Sequence, residues 1–290
     1  MSTGKPDRGF TIVEVLMFLA VTGVLMMVAM LTIGGSRQKA EFSASVRDFN
    51  SSIQGIISEV RTGYFPNKTA QVNCSATASG IDLSATSTPA GQGAHPECVF
   101  LGKVLHFGST PTASVSIITV AGKAFKSVGG DPPDSYFASM PKPVAGTVGA
   151  TIYSNIDLTE TLNLTNGLQV TKVISRNSTD ASGIFSTPGA FGIFNSLATT
   201  AGGSLSANVV TIPGSSRGDA LATTLVNIKN ISTNNEPTRN PIIAICLQHG
   251  IGGTGAVVII GFKDRAAYSD LYIANFDTAL KNAMGQTASC

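Results

Sequence analysis

Tryptophan is absent from the 290 residues, and charge is scarce: Asp, Glu, Lys and Arg together make up 12% of the chain. The 19 basic side chains barely outnumber the 17 acidic ones, for a formal net charge of +2. That balance offers no electrostatic footprint for nucleic acid. The histidines, His95, His106 and His249, are few and scattered. None of the four cysteines forms a C-x-x-C pair, so zinc-ligand spacing is missing too. The stretch "GIGGTG" (250–255) matches a dinucleotide fingerprint in letters, yet it runs into "AVVIIGF", which reads as a strand. Without a helix N-terminus there is no cluster of amides for a pyrophosphate, so a glycine-rich hairpin loop is expected there. The prolines of "DPPD" make Asp131 and Asp134 a turn. The sequons at Asn163 and Asn177 are those that chance supplies in a chain rich in Asn, Ser and Thr. The expectation is a protein that is not an enzyme and holds no cofactor and no metal.

What the chain does have is one long apolar run. Its mean hydropathy of +0.24 is high for a soluble protein, and much of the excess sits in residues 10–33. In those 24 residues, Phe10 to Ile33, the only charge is Glu14. As a helix the run would be about 36 Å long, enough to cross the hydrocarbon of a bilayer. A secretory signal has an apolar core of only roughly 7–15 residues. A plain signal anchor fits the length but leaves Glu14 unexplained, because an acid at the bilayer centre costs roughly 3 kcal/mol on insertion scales.

The stretch "DRGFTIVEVLMFLAVTGVLMMVAM" (7–30) accounts for both features. It resembles the prepilin signal shared by type IV pilins and the pseudopilins of type II secretion. The resemblance implies a leader, residues 1–9, carrying Lys5 and Arg8 and ending in Gly9. A prepilin peptidase would cut between Gly9 and Phe10, and Phe10 would be the new, N-methylated terminus. Glu14 is then the fifth residue of the mature chain, where the family places its acid, and Phe10, Thr11 and Glu14 would take part in subunit pairing. Methylation keeps the charge of the new ammonium. A carboxylate one turn along can pair with the ammonium of a neighbouring helix, and a partner offsets the cost of burying either charge. The alternative is an acid in the interfacial region, close enough to the helix end to reach water.

Gly34 and Gly35 end the apolar run, and bending or local melting is expected at the pair, since glycine weakens a helix by about 1 kcal/mol each. Beyond them Phe42, Val46, Phe49, Ile53, Ile56 or Ile57, and Val60 recur at spacings of three and four, the stripe of an amphipathic helix ending near Gly63. By resemblance this half (36–62) is the spine on which a globular sheet sits, and 10–33 is the transmembrane and filament-core half.

From residue 63 to 290 a β-rich head is expected. Strands are predicted at 98–107, 113–122, 147–154, 167–175, 207–213, 225–232, 241–249 and 256–262, all rich in β-branched or aromatic residues between Gly, Pro, Asn and Ser clusters. A helix is predicted at 268–284, a low-charge loop at 71–97, and a second irregular stretch at 125–145. Residues 124–240 are read as an elaboration or a small second domain. The fold class is therefore α+β, a long N-terminal helix on a β-rich head. Four cysteines in an exported domain suggest disulfides, with three pairings open and four free thiols as the alternative. Cys74–Cys98, which brackets one loop, and Cys246–Cys290, which ties back the chain end, are preferred; many pilins have a similar C-terminal disulfide-bounded loop.

Three functions stay in play. The first is a type IV pilin-like structural subunit assembled into an extracellular filament, with a lean to a minor pilin because the head is large; retention of Glu14 speaks against a tip subunit that lacks the acid. Its partners would be other pilin subunits, the prepilin peptidase and an inner-membrane assembly platform. It would sit in the cytoplasmic membrane as a single-pass precursor, head outward, and in the pilus after assembly. The second is a pseudopilin of type II secretion or a part of a DNA-uptake machine, although no basic stripe for DNA stands out. The third is a membrane-anchored surface protein whose β-domain binds a ligand or acts as an enzyme.

Overall fold

The computed structural model describes residues 11–63, 71–77, 80–86, 98–125, 135–136, 138–176, 185–195, 206–231, 240–249, 255–263, 266–285 and 287–290. The elements begin with α1 (Ile12–Thr62), β1 (Gln71–Thr77), β2 (Gly80–Thr86), β3 (Cys98–His106) and β4 (Ser114–Lys123). Short strands β5 (Lys142–Pro143), β6 (Thr147–Val148), β7 (Thr151–Ile152) and β8 (Glu160–Asn163) follow, then β9 (Leu168–Arg176), β10 (Phe185–Ser186), β11 (Ala190–Asn195) and β12 (Ala207–Thr211). The chain closes with α2 (Leu221–Asn230), β13 (Ile242–His249), β14 (Gly255–Lys263), β15 (Ala266–Tyr272) and α3 (Phe276–Met284). The fold is α+β. Two compact units divide it, residues 1–44 and 45–290.

In the second unit, one sheet has the order β12-β11-β3-β4-β5, with β8 also on β4, and the other the order β10-β9-β13-β14-β15. Neighbouring strands in both are antiparallel. β3, β4 and β11 are buried on both faces, which explains why they read as unbroken apolar runs. Alternation along β3 sends Val104 and His106 to one face and Lys103 and Leu105 to the other. On the first face Val104 joins Ile118, Phe194, Val210 and the α2 residues Leu225 and Ile228 in one core. On the opposite face Lys103, 2% exposed, puts its Nζ 2.6 Å from Glu59 of α1 and 3.7 Å from Glu160 of β8. The sheet is therefore filling between two helices. The stripe Val46, Phe49, Ile53, Ile56, Ile57 and Val60 is buried along α1, and Ser45 Oγ accepts from Asn166 Nδ2 at 2.8 Å. Under the second sheet, Leu280 and Met284 of α3 pack with Ile174, Ala244, Cys246, Val257 and Ile259.

Several expectations need correction. Residues 225–232 are not a strand: α2 buries Thr224, Leu225 and Ile228, and with Leu221 these recur at helical spacing, which outranks their β-branched composition. Residues 268–284 are not one helix. Their first five residues belong to β15, "AAYSDLY" (266–272), which alternates with Ala267 and Ser269 buried, and only Phe276–Met284 is helical. Residues 147–154 are not a single strand, because Gly149 at φ 62° turns β6 back onto β7. The loop at 71–97 contains the β1–β2 hairpin, in which Cys74 pairs across from Leu83; its small polar residues hid the alternation that buries Ile81 and Leu83. Residues 124–240 do not form a body of their own, since β11 pairs with β3 and β9 with β13. Gly34 and Gly35 do not melt α1, whose backbone stays helical through them. The "GIGGTG" stretch joins the antiparallel pair β13 and β14, and its residues 250–254 lie outside those described, as do His95, Asp131, Asp134 and Asn177.

Both preferred cysteine pairs are disulfides, Cys74–Cys98 with Cα atoms 6.2 Å apart and Cys246–Cys290 at 5.5 Å. By chain entropy, closing loops of this length stabilises the fold by roughly 3.5–4 kcal/mol each.

Two predictions follow from the buried polar groups of β3. Glu59→Gln combined with Glu160→Gln strips Lys103 of its anions and is expected to lower unfolding stability by about 3 kcal/mol, the cost of an unpaired buried charge. Adding Lys103→Met should restore most of it; denaturant unfolding of the full chain in detergent measures both. His106, 6% exposed, shares a 2.9 Å hydrogen bond through Nδ1 with Thr224 Oγ1 of α2. Burial holds its pKa below the ordinary 6.5, with the Asp219 carboxylate pulling weakly the other way. The unfolded chain therefore binds more protons there, so this stabilisation is full above about pH 6.5 and is lost as pH falls below it. The melting temperature should drop between pH 7 and 5, and His106→Gln should flatten that part of the slope.

Candidate assembly segment

The first turn of α1 is built by Thr11. Its carbonyl accepts from the amides of Glu14 (3.0 Å) and Val15 (3.2 Å), and its Oγ1 also accepts from the Glu14 amide at 3.3 Å. Thr11 is thus the N-cap, satisfying one of the donors that a helix start leaves bare. Thr11-Ile-Val-Glu14 is the Thr-x-x-Glu pattern of a capping box. That signal was in the sequence, and it gives Glu14 a second reason to be there: a carboxylate in the first turn complements the positive end of the helix dipole by about 0.3–1 kcal/mol. The Glu14 side chain is exposed, and no described residue supplies it with a cation. Gly9 and Phe10, the expected cleavage site, lie outside the described residues.

From Ile12 to Met30 the helix is apolar and long enough to cross a membrane. Its large side chains are bare all round, from 47% exposed at Val15 to 81% at Ile12. Besides Glu14, the segment carries the hydroxyl of Thr22, which is satisfied within the helix by donating to the carbonyls of Phe18 (2.9 Å) and Leu19 (3.1 Å). A polar group bonded in this way can sit in an apolar medium at little cost. At 1.5 Å per residue the segment spans about 28 Å, close to the thickness of bilayer hydrocarbon. Glu14 then lies within the first turn, at the edge of the apolar layer. Farther along, Arg37 Nε and Glu41 Oε1 are paired at 2.8 Å across one turn, a solvent-facing pair of small energetic weight.

Residues 4–30 match the model of the prokaryotic N-terminal methylation motif. This is the prepilin-type signal of type IV pilins and pseudopilins, and the match covers the N-terminal segment alone. No curated protein and no solved structure matches the chain.

Elsewhere, Gly214-Ser-Ser216-Arg-Gly218 fits the Gly-x-Ser-x-Gly string of hydrolases and lies between β12 and α2. His106 is buried with Nδ1 taken by Thr224, no hydrogen bond joins Ser216 Oγ to it among the described residues, and the Ser216 amide is bound instead to Asp219 Oδ2 at 2.6 Å. Among the described residues no three His, Cys, Asp or Glu side chains converge as a metal site.

The cap is directly testable. Thr11→Ala is expected to cost about 1 kcal/mol locally. Hydrogen exchange in detergent should then show the Glu14 and Val15 amides exchanging about fivefold faster, with Thr11→Ser close to wild type and the amides past residue 20 unchanged.

Proposed function

We propose that this chain is a non-catalytic structural subunit of an extracellular type IV pilus, processed after Gly9, N-methylated on Phe10 and packed into the filament through α1. The observation that carries the reading is the coincidence, over one segment, of the methylation-motif match at residues 4–30 with a helix whose apolar side chains are bare on every side. In the membrane, lipid covers that surface; in a filament, neighbouring copies of the same helix would. Moving from one to the other keeps the apolar groups out of water throughout, so extraction needs little hydrophobic free energy.

Glu14 would set the register of that packing. An ammonium at Phe10 placed at the positive end of its own helix dipole is unfavourable, and the carboxylate one turn on offsets this within a chain or between chains. Between helices packed in a dry core, the intermolecular pair rewards one axial offset and penalises the others, since an unpaired charge there is costly. The prepilin peptidase and an inner-membrane assembly platform are the partners this route requires, and other pilins are the neighbours. The large head favours a minor subunit over the main building block.

Mass spectrometry of the mature protein tests the route, with a terminal peptide beginning at N-methyl-Phe10 expected; an intact leader would favour a membrane-anchored surface protein instead. For the filament itself, Glu14→Ala is expected to lower the protein's content in sheared surface filaments at least tenfold while membrane levels hold. Wild-type incorporation of that variant contradicts the pairing role. A processed protein that never appears in sheared filaments points to a pseudopilin.

A further inference from the structure

The segment closed by Cys246–Cys290 contains a groove of about 540 Å³ between β15 and α3. Tyr268, Asp270 and Tyr272 line it from the strand, Thr278 and Asn282 from the helix, and Ile259 of β14 from below. Residues two apart on a strand share a face, so the two tyrosines lie about 13 Å apart with Asp270 midway between them. β15 is the last strand of its sheet.

Two glycines open the space. Gly261 stands opposite Tyr268 in register, and a Cβ there would come within 2.8 Å of the Tyr268 hydroxyl oxygen and 2.9 Å of its ring carbons. The ring tip therefore lies over the glycine. At the other end a Cβ on Gly255 would meet the Phe276 ring at 2.8 Å, so this glycine lets the first residue of α3 settle onto the sheet. Ala279 and Ala283 keep the helix side of the groove low, while Leu280 and Met284 anchor α3 from its buried face. Arg176 donates to the Met284 carbonyl at 2.9 Å and fixes the helix end.

The lining chemistry narrows the ligand. Among the described residues that line the groove, Asp270 is the one charged side chain, and none of them is a Lys or Arg that could hold a phosphate, sulfate or carboxylate. Burial first, then the neighbouring Asp270 and Tyr272, raise the Tyr268 pKa, so its hydroxyl stays a neutral donor and acceptor. Two flat aromatic rings, a carboxylate, two side-chain amides counting Asn275, and a hydroxyl would be left unpaired by an apolar ligand. The same set suits a polyol: the C–H face of a pyranose lies against the negative face of an aromatic ring, and adjacent hydroxyls are held by carboxylate and amide oxygens. We propose that the β15–α3 groove binds a neutral saccharide, with sugar rings against Tyr268 and Tyr272 and hydroxyls held by Asp270, Asn275 and Asn282. Every residue involved lies in the 45–290 unit, so the proposal stands apart from the filament reading.

Saturation-transfer NMR on the full chain tests it, using lauryldimethylamine oxide micelles, a detergent without sugar. The probes are methyl β-galactoside, methyl α-mannoside, N-acetylglucosamine and lactose, with sialic acid as an anionic probe and an acetylated Lys-Lys dipeptide as a cationic one. At least one neutral saccharide is expected to receive saturation at its ring C–H protons, and sialic acid none. Tyr272→Ala should reduce the transfer at least fivefold, as should Asp270→Asn, with melting temperatures unchanged because both side chains are exposed. Transfer to none of the four neutral probes overturns the proposal. So does equal transfer in Tyr272→Ala, or binding of the dipeptide in place of the sugars.

Discussion

The governing constraint is an apolar helix that its own chain leaves bare. Between Ile12 and Met30 every large side chain stands open, and water is not a tolerable medium for such a surface. Lipid covers it as a membrane span, and like helices would cover it in a filament. Both media demand that polar groups inside them be satisfied, and α1 complies: its backbone is helical throughout and Thr22 bonds within the turn. Glu14 is the exception, and its place in the first turn puts it at the edge of the apolar layer.

Glu14 and Thr11 show how two demands can fall on one residue pair. Thr11 supplies the amide-accepting oxygen that starts the helix, and Glu14 supplies negative charge where the dipole is positive. Neither effect needs a partner chain. On the proposed route an ammonium at Phe10 would add a positive charge beside the same turn, and the acid that helps the helix to start would lie within a turn of a cation. On the proposed reading, the local stabiliser and the register device would be one carboxylate in two surroundings, differing in how far water is excluded.

In the head, the sheets are held by pairings between strands distant in sequence, and polar groups mark the seams. Lys103 ties β3 to α1 and β8, and His106 ties it to α2. Neither role could be read along the chain, because each depends on which helix covers which face. Buried polar groups of this kind restrict the arrangements in which a sheet can pack, since a wrong partner leaves a charge or donor unsatisfied. The two disulfides act on the other side of the balance, by restricting the unfolded chain.

The long strands β3, β4, β13 and β14 were legible because their apolar residues run nearly unbroken between glycine or proline, and β9 because it is rich in β-branched residues after Gly167. The α1 stripe was legible because its period is three and four. The N-terminal signal, the lone acid and the length of the apolar run are local properties, and local spacing is sufficient to state them. Legibility failed where composition and period disagreed, at α2, at the β15–α3 junction and in the β1–β2 hairpin, where small polar or β-branched residues masked the repeat. What only the tertiary structure decided is which elements meet: β11 on β3, β9 on β13, α3 over β14, and hence the groove beside Tyr268 and Tyr272. Contacts across tens to more than a hundred residues are set by the packing of whole faces, and no window along a chain contains that information.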